Sequence, residues 1–530
     1  MNPFDAAGQF QIPGEGAGAP RRTVRNAGVT IFGQGCVFII QMLGMTVLAR
    51  ILTPGDFGLV TMVTTFSLLF ASFGVAGISD AILQRPTFNR ALATNLFWIN
   101  LGGGFIVAAL FAAAGRLMAA FYGDPRITRV AIGFAVAIFL AIAPVVHLSL
   151  VRRGLRFGIV SVNDVIARVI YVATAIVCGY FGWGYWALVA AAIVQPASIL
   201  VGALILCRWR PGLPSRVEGT GKMVKFAIDV YGRFSINYGT GNLDNLLVGW
   251  RFGATTLGFY KKAFDLFVLP SCQLIAPVVS VIVTALSRKN KDHEEFKRYF
   301  MKALCIVAFV GMAASADLTL VSHDLVRILM GPAWGESGRI FMYFAPGIGL
   351  MLIYQTTAWV HLSLGTTRRW LGWSVFELAV TAALFAIGLH WGPAGIAGAW
   401  TTSFFVLMVP GFYYAGHPIG LRVVTIIAAV WRYMVASLAA GFATAAIVGT
   451  IHWLPLVAPA GLAGAMLRMI VNSAVFALLY LVAVVLLYGG FAPLIELAQL
   501  VPDLVPGFGA LRKLRPAAQP VVRTATFETK

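Results

Sequence analysis

The sequence predicts an all-α polytopic membrane protein of about fourteen transmembrane helices, built as two six-helix lobes in parallel repeat followed by two further helices. An array of apolar stretches, the sorting of arginine and lysine between them, and an internal echo support this. Of 530 residues, 59% are hydrophobic and 11% charged, and mean hydropathy is +0.83. Soluble domains carry roughly a quarter charged residues. This chain has too little polar surface to cover an aqueous core, so lipid must be the solvent for much of it. That excludes most soluble functions.

The stretches fall at 28–49, 57–79, 94–115, 129–150, 158–180, 185–207, 227–250, 261–285, 301–322, 339–361, 370–389, 394–415, 425–449 and 464–488. They are too long and too uniformly apolar for barrel strands, which alternate and run about ten residues, so each reads as a helix. The N-terminal residues 1–26 are polar and lack the charged-then-apolar order of a cleavable signal, so the first span is expected to be retained.

Basic residues concentrate in every second gap. One set of gaps and tails holds 27, among them Arg21, Arg85, Arg152, Arg208, Arg210, Lys289 and Arg368; the other holds nine, namely Arg50, Arg116, Arg126, Arg129, Arg251, Lys261, Lys262, Arg327 and Arg339. This asymmetry predicts that both termini are cytoplasmic. It also accounts for the net charge of +20 without a nucleic-acid partner. The five cysteines sit in or beside apolar stretches without metal-ligand spacing and read as packing residues.

The echo is His147-Leu-Ser-Leu before Arg152-Arg153 and His361-Leu-Ser-Leu before Arg368-Arg369, closing spans four and ten. A second echo pairs Arg50 to Phe57-Gly58 with Arg251 to Gly258-Phe259. The organisation expected is a tail at 1–26, an N-lobe at 27–207, a linker at 208–226, a C-lobe at 227–416, two extra helices at 417–488 and a tail at 489–530. Parallel repeats are a transporter signature, with substrate held between lobes. The sequence has no GxxxxGK[ST] loop, GxSxG elbow or HExxH helix, and no cofactor or metal is expected. A membrane-embedded polymerase or ligase would want a large external loop, and the longest such gap, about His323 to Gly338, is short.

Ionisable groups inside spans are expensive in hydrocarbon and mark function. Span five carries Asp164 and Arg168 at i,i+4, with Tyr171 on the same face; a self-neutralised pair is the plain alternative. In span seven Arg233, Asn237, Gly241 and Asp244 share about a quarter of the helix circumference, with Asn242 and Asn245 beside them. That stripe suits a cavity wall, or else interhelical glue. Glu377 in span eleven and Asp164 in span five stand at matching offsets from the two echo histidines. With Asp244 they are candidates for coupling to Na⁺ or H⁺, or else each caps its own lobe. Arg432 and Arg468 in the extra helices are expected to snorkel. For an anionic substrate, Arg233, Arg168, Arg50 and Arg251 are the phosphate partners, because guanidinium binds phosphate oxygens bidentately.

At several of these residues the chain resembles polysaccharide exporters of the multidrug/oligosaccharidyl-lipid/polysaccharide superfamily, the Wzx-like flippases. The matching segments are Leu48-Ala-Arg-Ile-Leu-Thr-Pro-Gly-Asp-Phe-Gly58, Asp80-Ala-Ile-Leu-Gln-Arg85, Asn95-Leu-Phe-Trp-Ile-Asn100, Phe121-Tyr-Gly-Asp-Pro125, Arg152-Arg-Gly-Leu-Arg-Phe157, Asn242-Leu-Asp-Asn-Leu-Leu-Val-Gly249, Leu257-Gly-Phe-Tyr260 and Gly331-Pro-Ala-Trp334. They are ordered from Gly28 to Leu421; beyond them only hydropathy matches. The resemblance implies a V-shaped pair of lobes around a cationic cavity. It implies a transporter, not an enzyme, in the bacterial inner membrane, moving undecaprenyl-diphosphate-linked oligosaccharide repeat units for exopolysaccharide, capsule or O-antigen export. A polysaccharide polymerase and chain-length machinery are the implied partners beyond membrane lipids. The rival expectation is a cation-coupled multidrug or metabolite antiporter of the same superfamily, which would need an acidic site.

Overall fold

A computed structural model describes residues 3–5, 7–10, 19–85, 88–215, 217, 219–221, 223–228, 231, 238, 241–271, 276–290, 292–450 and 461–491. Within them the chain is helical apart from two isolated β-bridges. Ten helices are long and apolar enough to cross a membrane. The number is eleven if the pair Pro332–Phe344 and Pro346–Ser363, bent by 48°, counts as one span.

The first helices are α1 (Ala19–Ile51), α2 (Pro54–Gln84) and α3 (Arg90–Tyr122). Local sequence dictates their ends. Asp56 N donates to Thr53 Oγ1 at 3.3 Å while Thr53 N donates to Asp56 Oδ2 at 3.0 Å, a reciprocal cap, and Pro54 fits the first turn, where no N–H partner is needed. Asn89 caps α3 by accepting from Leu92 N at 2.9 Å. Span four is broken: Ala143-Pro144 separates α4 (Arg126–Ile142) from α5 (Val145–Arg153). Then come α6 (Phe157–Tyr180) and α7 (Tyr185–Leu206). Among these, α1 packs on α6, α3 on α4, α6 on α7, and α4 on α2 and α7.

The largest departure from expectation lies at spans seven and eight. A loop was expected between them at 251–260; instead two helical stretches, together labelled α8 (Leu243–Pro270), meet at a break at Gly253, whose φ of 79° and ψ of 179° suit glycine alone. The remaining helices are α9 (Ala276–Arg288), α10 (His293–Leu320), α11 (Ser322–Met330), α12 (Gly335–Phe344), α13 (Pro346–Ser363), α14 (Thr367–Gly388), α15 (Gly392–Gly416), α16 (Val423–Thr450) and α17 (Leu462–Tyr488). The expected external gap at 323–338 is mostly helical, and Lys297, Arg298 and Lys302 lie within α10 instead of before it. Here α13 and α14 pack on α15, α10 on α13, and α16 on α10 and α17.

Both echo histidines are buried, His147 in the first turn of α5 and His361 in the last turn of α13. The His147 ring lies 5.2 Å from that of Trp209, and His361 is stacked with Trp370 at 6.3 Å. Arg468 does not snorkel. It donates through Nε and Nη2 to both oxygens of Asp324, at 3.2 and 2.6 Å, tying α17 to α11. Ser473 donates to Asp317 at 3.2 Å and Tyr480 to the Phe309 carbonyl at 2.9 Å along the same seam. The Arg432 guanidinium lies 4.8 Å over the Tyr488 ring.

Candidate functional site

The turns after α1, α3 and α6, the Gly253 kink and the α11–α12 turn gather at one end of the molecule, called upper here. The α2–α3, α5–α6 and α13–α14 turns lie at the other, lower end. The α2–α8 pair is the most extensive helix contact among the described residues. Leu59, Met62 and Val63 on α2 and Val248 and Leu257 on α8 are all buried. The closest approach is at Gly58 and Gly258. A Cβ on Gly58 would stand 1.6 Å from the Ala254 carbonyl oxygen, and one on Gly258 would stand 1.9 Å from that of Pro54. Backbone meets backbone, the device by which membrane helices approach without a hydrophobic drive. The echo residues are thus the crossing point of the two halves.

Trp334 fastens this crossing. It is fully buried; its ring lies 5.5 Å from Phe57 and 5.9 Å from Phe259, one from each half. Its indole N–H donates to the Ala49 carbonyl at 2.7 Å. Arg50 Nη2 donates to the Ile328 carbonyl at 3.1 Å, so Arg50 braces this end of the molecule. Below it, α1 packs on α6, whereas α9 packs on α13 and α10. The halves therefore meet along α2–α8, at the upper end, and further down α2, where Tyr231 Oη donates to the Leu69 carbonyl at 3.1 Å.

We expect Trp334→Phe to keep the wedge but lose the indole bond, worth about 0.5–1.5 kcal/mol. In a cysteine-free background, maleimide labelling of a cysteine replacing Thr255 should then speed up by roughly two- to tenfold. Unchanged labelling would show that the indole bond does not hold this end shut.

Just beneath the crossing lie charges at the start of span eight, two of which, Lys261 and Lys262, the sequence reading counts with the gap before it. Lys261, Lys262 and Asp265 stand about 12 Å past the kink along α8 at 1.5 Å per residue. Lys261 Nζ donates to Asp265 Oδ1 at 2.6 Å, and Lys262 Nζ stands 3.9 Å from Oδ2 and 4.1 Å over the Phe57 ring of α2. The side chains of Lys261 and Asp265 keep 29% and 35% of their surface accessible. Mid-helix charges with accessible surface are costly against lipid, which makes this a candidate polar site. Gly253, which turns the expected loop into a kinked helix, was the available signal.

The span-seven residues divide. Arg233 and Asn237 lie outside the described residues. Asp244 is fully buried, accepting from Tyr260 Oη at 2.8 Å, Trp400 Nε1 at 3.0 Å and Asn245 N at 2.8 Å. Three donors neutralise its desolvation cost and lock α8 to α15. Asn245 is buried too, with Nδ2 donating to Asn242 Oδ1 at 3.4 Å. In this conformation, then, neither Asp244 nor Asn245 faces an open gap. Arg251 is exposed beside the kink, 5.9 Å from the Phe252 ring.

Asp164 and Arg168 do not form an ion pair; the Arg168 guanidinium lies 5.5 Å over the Tyr171 ring instead. Glu377 shares a hydrogen bond with Tyr354, which also accepts from Trp373 Nε1 at 2.7 Å. Glu377 and Asp164 belong to different halves and are not brought together. No group of three or more metal-ligating side chains occurs among the described residues.

This architecture is a known helical membrane fold. The solved structure of lipid II flippase MurJ, in an inward closed conformation, superposes with a TM-score of 0.68 at 13% identity, covering 88% of this chain and 99% of that one. Residues 47–339 match the family described as polysaccharide biosynthesis protein, and the chain belongs to that family. Among curated relatives, lipopolysaccharide biosynthesis protein WzxC of Escherichia coli is 25% identical over 316 residues, 58% of this chain and 62% of the relative. The match thus spans under two thirds of that relative's length. Succinoglycan biosynthesis transport protein ExoT of Rhizobium meliloti is 20% identical over 368 residues, 69% of this chain and 74% of the relative.

Proposed function

We propose that this multi-pass membrane protein flips an anionic, undecaprenyl-diphosphate-linked oligosaccharide repeat unit between leaflets of the bacterial inner membrane, for surface or exported polysaccharide. The observation that carries this reading is the Lys261–Lys262 pair, held under the closed upper end with accessible surface. Two ammonium groups so placed suit a diphosphate, and Asp265 serves as their counterion until it arrives. In this reading the lobes are 27–207 and 227–416, the linker is 208–226, and about fourteen spans put the basic lower end and both termini in the cytoplasm. Arg168 and Arg251 line the path and Arg50 braces its upper gate, while Arg233 and Asn237 remain substrate candidates on sequence alone. The sugar and diphosphate travel between the lobes while the polyprenyl tail stays in lipid, and rocking of the lobes alternates access. A polysaccharide polymerase and chain-length machinery would receive the product. The names of the WzxC and ExoT relatives support the polysaccharide class.

A cation antiporter needs an uncommitted carboxylate. Asp244, Asp265 and Glu377 each already hold a donor, which favours the anionic substrate. Asp164 remains the one coupling-ion candidate without such a bond among the described residues. The test is a clean chromosomal deletion. Surface or exported polysaccharide should be lost and lipid-linked precursor should accumulate. Unchanged polysaccharide and precursor pools would refute the proposal.

A further inference from the structure

At the lower end, the segment leaving α7 folds back over the start of α3. Asn95 holds it with two bonds, Nδ2 to the Ser215 carbonyl at 2.5 Å and Ser215 N to Asn95 Oδ1 at 2.9 Å. Trp98 Nε1 donates to the Gly212 carbonyl at 2.8 Å. Between segment and helix lies an open cavity of about 690 Å³, lined by Trp98, Ile99, Pro214, Ser215, Val217 and Thr220.

Three features identify what fits it. Its apolar side continues into the lipid face of α3, where Ile99, Phe105, Ile106 and Leu110 are exposed and a Cβ at Gly102 would meet nothing within 4 Å. Gly102 adds no side chain to this face, leaving an open strip between Ile99 and the Phe105–Ile106 pair along which an acyl chain can lie. Trp98 and Leu213 stand exposed at the cavity's mouth, 42% and 88% accessible, an apolar rim of the kind that sits at a bilayer interface. Its polar end carries positive charge. The Arg85 guanidinium lies over Gly219, next to the Thr220 wall, so close that a Cβ there would stand 2.4 Å from Nη1; Gly219 also has φ +90°. Nη1 donates to the Gly219 carbonyl at 3.4 Å, and a guanidinium has four further N–H donors. Arg208 and Arg210 are exposed on the segment leading in.

We propose that this cavity binds one anionic glycerophospholipid of the cytoplasmic leaflet, its headgroup phosphate at Arg85 and one acyl chain along the Gly102 strip. The leaflet assignment rests on the orientation proposed above; the binding itself does not depend on the transported substrate. The consequence is that the inter-lobe linker is anchored to the membrane surface through lipid, which restrains its motion as the lobes rock.

The test uses the purified full chain in nanodiscs of equal phosphatidylglycerol and phosphatidylethanolamine, followed by native mass spectrometry of retained lipid. Wild type should retain phosphatidylglycerol preferentially. Arg85→Gln, and separately Ser215→Trp, which fills the cavity without touching the backbone bonds to Asn95, should each lower that retention at least fivefold and leave phosphatidylethanolamine unchanged. Thermal unfolding reports folding, and Ser215→Trp carries the test if Arg85→Gln does not fold. Absence of preference in wild type, or equal phosphatidylglycerol retention in the folded variants, would overturn the proposal. So would equal loss of both lipids, since that indicates a cleft without headgroup selectivity.

Discussion

Gly258→Ala should cut transport at least about tenfold while Gly398→Ala has no effect. The added methyl would stand 1.9 Å from the Pro54 carbonyl. Neither partner is a flexible side chain, so α2 and α8 must separate by more than an ångström. Overpacking of this kind costs about 1–3 kcal/mol, and here it is loaded onto the contact that joins the halves. A gate whose closed state loses that much shifts its population by roughly five- to 150-fold. We expect transport to fall at least about tenfold and the unfolding midpoint in detergent to drop by on the order of 5 °C. Gly398→Ala is the control, because a Cβ there meets nothing within 4 Å. It should match wild type in both measurements. Equal behaviour of Gly258→Ala and Gly398→Ala would show that the crossing tolerates separation.

The second large effect is expected at the lysine pair. Lys261→Gln alone would leave Asp265 with the more distant Lys262 as its ionic partner, so a loss of function could be a loss of folding. Neutralising a pair together avoids that ambiguity. The variant Lys261→Gln with Asp265→Asn keeps two hydrogen-bonding side chains at i,i+4 but leaves Lys262 without its ionic partner. Adding Lys262→Gln removes the remaining cation. Each ammonium–phosphate bond lost is worth about 1.5–3 kcal/mol, so the triple variant should transport about 10²-fold more slowly or worse with its unfolding midpoint little changed. Lys261→Arg should retain much of the wild-type rate, since it preserves charge and reach. Wild-type transport by the triple variant would remove the lysines from the substrate path.

Reading the chain by hydropathy and charge located most helices to within a few residues, because each apolar stretch is contiguous and needs no partner to be recognised. The burial of the two echo histidines also followed from their place in apolar stretches. What failed was whatever depends on distant contacts or on one backbone angle. The gap from Arg251 to Tyr260 reads as a loop between two spans, yet only Gly253 breaks the helix there, and Lys261 and Lys262 fall inside the second helical stretch. Asp244 reads as a cavity charge because Trp400, 156 residues away, cannot be paired with it from sequence. Trp334 lies 285 residues from the Ala49 carbonyl that it holds, so its role at the crossing was visible only in three dimensions. Asp164 and Arg168 were paired on helical spacing, but a guanidinium can choose a ring face over a carboxylate.

The most direct test of the central claim is reconstitution. The purified chain goes into proteoliposomes holding a fluorescent undecaprenyl-diphosphate-linked repeat unit, and a membrane-impermeant quencher reads its leaflet over time. The account predicts time-dependent translocation well above protein-free vesicles, absent from the Lys261/Lys262/Asp265 triple variant and reduced at least about tenfold by Gly258→Ala. Translocation equal to that of protein-free vesicles, from a folded protein and the repeat unit of its own host, would contradict it.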